Sequence, residues 1–221
     1  MSGVVEIFNL ALNACGVELG VTSPDENSRE AALCRLWYPR VRDNVIGSAR
    51  WPSARRTARL ALLASRDPSV PWEPGDPQPD YRFAHAVPVD LIRPYYIEGY
   101  PRFSYGLLGE TRAIHSSTPS PLLHYNARVT DTSLWDQDLR LAIVHTLATY
   151  LAMPLTGNRE RLNDNASLAF EFVEQAQTHA ANGEHELEET LPEWIQVRGY
   201  GNPGAMRYFY PAETLAVGQS A

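Results

Sequence analysis

Lysine is absent from this 221-residue chain, and cysteine occurs only twice. All 19 basic residues are therefore arginines, set against 26 acidic ones for a formal charge of −7, which argues against a dedicated nucleic-acid grip built on a basic stripe. Coding bias in a GC-rich genome is the simple explanation of the missing lysine, with selection for arginine's function as the alternative. The absence also gives every basic side chain the planar fork that suits interface ion pairs. No Cys-x-x-Cys pair exists, so Cys15 and Cys34, on neighbouring predicted helices, read as buried thiols behaving as small hydrophobes. His85, His115, His124, His145, His179 and His185 are scattered without ligand spacing, and neither a metal site nor a cofactor is expected. Long apolar runs are lacking too, and none approaches the roughly 20 residues of a membrane helix. The N-terminal MSGVVEIFNLALNACG has no basic n-region and carries Glu6 and Asn9 inside its apolar part. It reads as an amphipathic helix and not as a signal peptide, so the chain is expected to be soluble and made in a cytoplasm.

What is present divides into three stretches. A first helix is expected over Val4 to Cys15, stopped by Gly16, and a second begins with Ser23 as cap, Pro24 at the first helical position and Glu26 closing a capping box. Ala31, Cys34, Tyr38, Val41 and Val45 form its buried stripe, Leu33 and Trp37 a second seam, and Pro39 predicts a kink near Arg35. From Trp51 to about Asp131 the pattern changes to prolines, aromatics and period-two alternation. Five or six short strands are expected there: Thr57 to Leu63, Tyr81 to Val87, Leu91 to Ile97, Arg102 to Leu108, Thr111 to Ser116 and Leu122 to Val129. The proline-rich Asp67 to Pro79 is a loop. Helical periodicity returns near Ser133 with Leu139, Ile143, Leu147, Tyr150 and Leu151, ended by Pro154 and Gly157. A fourth helix from Asn158 presents Leu162, Ala166, Ala169, Val173, Ala176 and Ala180, and that many alanines imply close packing, with Asn182-Gly183 as the stop.

The fold expected is α+β: a four-helix bundle from residues 1–50 and 132–183, an inserted antiparallel sheet or sandwich over 51–131, and an extended arm over 184–221. The arm carries Trp194, Arg198 and the glycine, proline and aromatic mix around Tyr200, Tyr208, Phe209 and Tyr210, the composition of a segment that orders on a partner or else packs back across its own subunit.

Catalytic chemistry finds no positive signal. Glu98 and Glu110 are the carboxylates a glycan hydrolase would need in the sheet region, but both stand at predicted turns. His115 and Ser116 are adjacent on a strand and point to opposite faces, and Gly106 to Gly109 opens no helix and precedes no Lys-Ser/Thr. The pair Arg42-Asp43, at the border of the second helix's buried stripe, is the informative charged feature, suited either to stapling within the chain or to assembly.

Cys34, Tyr38 and Arg42-Asp43, followed by Trp51 and Arg55-Arg56, are spaced as in the tail tubular protein A family of short-tailed bacteriophages, which this chain resembles. Val87-Pro88-Val89-Asp90-Leu91-Ile92-Arg93, Pro121 to Tyr125 with Arg128 to Asp131, Trp135-Asp136, Leu155-Thr156-Gly157 and Trp194 to Arg198 continue the resemblance in the family's order. It covers roughly residues 4 to 198. Arg50 departs from the family's proline, and the stretch beyond Tyr200 has no counterpart.

The resemblance implies a head-to-tail adaptor of the virion: a dodecameric ring between portal protein and tail nozzle protein, with genomic DNA passing non-specifically through its lumen and no membrane contact. Trp37, Arg42, Asp43, Trp51, Arg55, Arg56, Trp135 and the aromatic and arginine residues of the arm are then the candidate interface residues. The alternatives from other classes are a virion-associated glycan hydrolase and a non-viral module whose sheet edge binds peptides.

Overall fold

The computed structural model describes residues 3–18, 20–67 and 69–184. Met1–Ala180 form one compact unit, and of the second, Ala181–Ala221, only the end of a helix is described. Helix α1 (Gly3–Ala14) buries Val5, Ile7, Phe8, Ala11 and Leu12, and the chain leaves it through Gly16 at φ +85°. Helix α2 (Arg29–Ser48) starts five residues later than the capping residues around Ser23 predict. Ser28 is the cap, accepting from Ala31 N–H at 3.2 Å. Glu26 instead closes a loop, accepting from the N–H and hydroxyl of Thr22 at 2.8 and 2.9 Å, while Arg35 reaches back to the carbonyls of Pro24 and Glu26. The polar residue next to the apolar stripe wins the cap, because α2's buried face begins at Ala31. The helix is unbroken through Pro39.

Seven strands follow, in two antiparallel sheets. β1 (Arg55–Arg59), β7 (Leu122–Ala127) and β4 (Leu91–Ile97) form a three-stranded sheet in the order β1-β7-β4. β2 (Leu62–Ser65), β3 (Phe83–Ala86), β6 (Thr111–Ser116) and β5 (Phe103–Leu108) form a four-stranded sheet in the order β2-β3-β6-β5. The single strand expected over Thr57 to Leu63 is therefore two strands in different sheets. The chain switches at Leu60, whose side chain is buried between them and whose N–H is taken by Pro121 O at 3.0 Å. Leu60, Ile97, Ile114, Leu123, Tyr125 and Ala127, drawn from both sheets, make one apolar cluster.

The proline-rich loop after β2 covers the outer side of the four-stranded sheet. Gln78 N–H donates to His115 Nδ1 at 3.2 Å, and the Gln78 side-chain amide lies against Gly106 of β5.

A short 3₁₀ turn (Thr132–Leu134), capped by Asp131, precedes helix α3 (Gln137–Thr156), so the helix expected from Ser133 begins four residues later, with Asp136 as cap. Gly157, at φ +65°, ends it by donating to Ala152 and Met153 carbonyls. By length and composition α3 is apolar enough to cross a membrane, yet its Leu139, Ile143, Leu147 and Leu151 pack into the core shared with α1 and α2. Tyr150, expected in that stripe, is 43% exposed. Helix α4 (Arg159–Glu184) runs past Asn182-Gly183. Its expected alanine face is borne out in part: Ala169 and Ala176 are buried, Ala176 within the helical core, but Ala166 is exposed, and half-buried Leu162, Phe172 and Val173 complete the contact with that core. The described residues are thus a mixed α+β fold of four helices and two antiparallel sheets.

Candidate functional site

The C-terminal end of α2 is where helices and sheets meet. A helix leaves its last carbonyls without intrahelical partners, and here every one from Val45 to Ala49 is claimed by a side chain. Trp51 Nε1–H donates to Val45 O at 2.7 Å, Asn126 of β7 to Ile46 O and to Ala49 O, Arg93 of β4 to Gly47 O at 2.8 Å, Gln177 of α4 to Ser48 O at 2.9 Å, and Tyr95 hydroxyl to Ala49 O at 2.8 Å. Burial of the Tyr95 phenol raises its pKa to about 12, against the opposing charges of Arg93, Arg50 and Arg55, so it remains a donor across the accessible pH range. One helix end is thereby fixed to both strands β4 and β7.

Arg42 and Asp43 staple the chain internally. Asp43 accepts from Arg42 at 2.8 Å with one oxygen and from Arg128, just beyond β7, at 2.9 Å with the other. Trp51 and Trp135 are core residues and offer no contact surface: both are buried, and the Trp135 indole donates to Val129 O at 3.2 Å as Trp51 does to Val45. The two tryptophans close equivalent six-residue loops, which explains their spacing without any partner. Trp37 does reach the surface, stacked on Tyr150 at 4.6 Å between ring centroids. With exposed Leu36 and Met153 it gives α2 and α3 an apolar face. Arg55 and Arg56 are exposed on β1. Trp194, Arg198, Tyr200, Tyr208, Phe209 and Tyr210, and the arm they define, lie outside the described residues.

The three-stranded sheet displays a row of rings that sequence reasoning did not find. Thr57, His124 and Tyr96 are cross-strand neighbours on its outer face. Tyr96 stacks on His124 at 4.4 Å and on Tyr100 at 5.0 Å, and Arg50 lies over Tyr95 and Tyr96. Tyr100 holds φ +52°, the one positive value at a non-glycine among the described residues, and its ring stacking opposes that strain. Beside this row a cavity of about 140 Å³ is lined by Arg50, Arg55, Asp136, Asp138 and His179 among others. Asp136 there is committed to the α3 cap and to the Ser53 hydroxyl at 2.8 Å.

Groups able to do acid–base or nucleophilic work are withdrawn from solvent. Ser116 meets His85 across the sheet at 3.2 Å, not its neighbour His115, but both are fully buried and share the Thr118 carbonyl. Burial holds the pKa of His85 and of His115 below the usual histidine range. It pushes the Cys15 thiol up to about 11 and Cys34 to about 12, so both remain protonated, and Cys15 donates to Ala148 O at 3.0 Å. Glu98 directly follows β4 and Glu110 stands in the turn between β5 and β6, so the two carboxylates sit in different turns. Among the described residues no cluster of three metal-ligating side chains forms.

The signals for the missed residues were faint. Asn126 and Tyr95 sit in strands where their alternation gives a face but not a partner, and only the packed α2 terminus shows what they bind. No protein-family model matches the chain, and no curated protein matches its sequence.

Proposed function

We propose that this chain is a ring-forming head-to-tail adaptor of a short-tailed bacteriophage virion, joining portal to tail nozzle with genomic DNA passing through the lumen. In this reading residues 1–50 and 132–183 form a four-helix lobe, residues 51–131 an inserted sheet lobe, and neither catalysis nor a cofactor is involved. The observation that carries it is the α2 terminus. There Asn126, Arg93 and Tyr95 lock a helical core to a sheet core, so one subunit offers two chemically unlike surfaces at fixed geometry. A joint between two different rings needs that property. The apolar face of Leu36, Trp37, Tyr150 and Met153 serves the helical contact, and the ring-bearing outer face of the three-stranded sheet serves the other. The motif spacing from Cys34 to Arg198 supports the same assignment.

Co-expression with the portal protein encoded in the same genome, followed by native mass spectrometry and electron microscopy, tests it. A twelve-subunit ring seated on the portal is the expected outcome, weakened by Leu36→Asp. A chain that stays monomeric and leaves the portal bare overturns the assignment.

A further inference from the structure

We propose that neighbouring copies of this chain join through the edges of the four-stranded sheet, β5 of one copy pairing antiparallel with β2 of the next. Any open sheet presents unpaired N–H and C=O groups along both outer strands, and proteins that must stay apart blunt those edges with charge, proline or coverage. The three-stranded sheet does so on both sides: β1 carries Arg55, Arg56 and Arg59, and β4 carries Arg93 and Pro94. The four-stranded sheet does not. β5 reads Phe-Ser-Tyr-Gly-Leu-Leu and β2 Leu-Leu-Ala-Ser, without a charge or a proline between them. Each exposes apolar side chains, Leu107 at 60% and Tyr105 on one edge, Leu62 at 52% and Leu63 on the other. Among the described strands β5 pairs only with β6 and β2 only with β3.

The occupant follows from direction, face and charge. All neighbours in the sheet are antiparallel and the strands are even in number, so β5 and β2 run in opposite directions, and a copy added by translation continues the antiparallel alternation. Leu62 lies opposite His85, His85 opposite Ile114, and Ile114 opposite Tyr105, which places Leu62 on the same face as Tyr105 and Leu107. Leu62 of the next copy therefore meets Leu107 on one side of the joined sheet. The antiparallel arrangement also brings exposed Asp67 of the next copy, just past its β2, to exposed Arg102, just before β5. Arg66 is turned away onto the Pro79 carbonyl of its own loop. The register shift between Leu62 and Ala64 confines the pairing to a short run.

Because the two edges differ, the contact is heterologous: a single contact leaves one edge free on each of its two subunits, and the repeat closes only as a ring or runs on as a filament. Closure into a ring rests on the adaptor reading, while the pairing of edges stands on the sheet alone.

Leu107→Lys and Leu62→Lys change exposed positions, so each variant folds, as circular dichroism will show, and native mass spectrometry reads assembly. The wild type is expected as multimers, each variant alone as the 24.7 kDa single chain, and an equal mixture of the two as a dimer and nothing larger, since one good edge remains on each. Multimers retained by either variant would show assembly through another face, removing this inference while leaving the adaptor reading standing. Two-fold dimers of Leu62→Lys alone would mean that β5 pairs with itself, and a wild type that stays monomeric at its highest soluble concentration would remove the edge contact altogether.

Discussion

The helical and sheet halves of this molecule are stabilised by different means. The core between α1, α2 and α3 is long and almost wholly apolar, running from Ile7 and Phe8 through Val41 and Ile46 to Leu147 and Leu151. The sheet half centres on six buried apolar residues, and around them it seals in His85, His115 and Ser116, all without solvent exposure. A continuous apolar core depends on volume alone. A small core with polar groups inside it depends in addition on their hydrogen bonds and on their staying uncharged. The helical half should accordingly respond to cavities, the sheet half to protons, and the α2 terminus to anything that strands its carbonyls.

Trp51→Ala should have the largest effect, about 3–5 kcal/mol by the measure of buried aromatic truncations. The side chain is fully buried in the helical core and its indole proton is the partner of Val45 O. Urea unfolding gives the magnitude. A loss below about 1 kcal/mol would mean the helical core repacks freely, against the close-packed picture drawn for it. Asn126→Ala comes next, at about 1–3 kcal/mol, because it leaves the Ile46 carbonyl without its side-chain donor in a buried place, while Ala49 O keeps the Tyr95 hydroxyl. Its distinctive readout is cooperativity: with the joint loosened, amide exchange in β4 and β7 should separate from that in α2, whereas in the wild type the two exchange together.

Acid should weaken the sheet half selectively. In the folded chain burial lowers the pKa of His85 and His115 relative to an unfolded value near 6.5. The nitrogen facing a carbonyl or a backbone N–H is already used, Nε2 of His85 on Thr118 O and Nδ1 of His115 under the Gln78 N–H. Protonation would therefore force a charge into the sheet, with a new N–H at His85 Nδ1 that has no partner and one at His115 Nδ1 that faces the Gln78 N–H. A depressed folded pKa means that the unfolded chain binds the extra proton first. Stability is fully present above about pH 6.5 and declines as pH falls towards the folded pKa, by up to about 1.4 kcal/mol per pH unit for each histidine. Exchange of β3 and β6 amides at pH 7 and pH 5 checks it, with α1 and α3 as internal controls, and His115→Gln should flatten part of the slope. Equal acceleration in both halves would erase the distinction between them.

How much of this could be read from the sequence follows the same division. Periodicity finds Ala31, Cys34, Tyr38, Val41 and Val45 because a helix stripe is a local property, and five of the six strand ranges agree to within two residues for the same reason. The errors fall where a local signal competes with a tertiary one. Ser23-Pro24-Asp25-Glu26 has every mark of a helix start, yet Glu26 is drawn to Thr22 and the cap passes to Ser28. Thr57 to Leu63 alternates like one strand, but Leu60 is wanted between the sheets and the strand breaks there. Trp51 and Trp135 are rare, large residues in matching contexts, and their spacing reflects two indoles reaching back six residues to Val45 and Val129. Burial, which removes them from any interface, is visible only once the chain is folded. Asn126, whose amide joins the halves, carries no sequence signal, since its partners are backbone atoms of residues 46 and 49.

The smallest effect belongs to the other link between the halves. Asp43 on α2 and Arg128 beyond β7 form an ion pair at 2.9 Å, but Arg128 is 43% exposed and Asp43 has Arg42 on its other oxygen. Solvent and salt screen such a pair, so Arg128→Ala should destabilise by about 0.5 kcal/mol or less, and the loss should fade in high salt. Asn126 and Arg128 thus bind the same helix to the same strand region, one buried and uncharged, the other exposed and ionic. A double-mutant cycle over Arg42 and Arg128 should show that either arginine alone holds the carboxylate. Should Arg128→Ala instead match Asn126→Ala and resist salt, the exposed link would carry the joint, and the contrast between the two would fall.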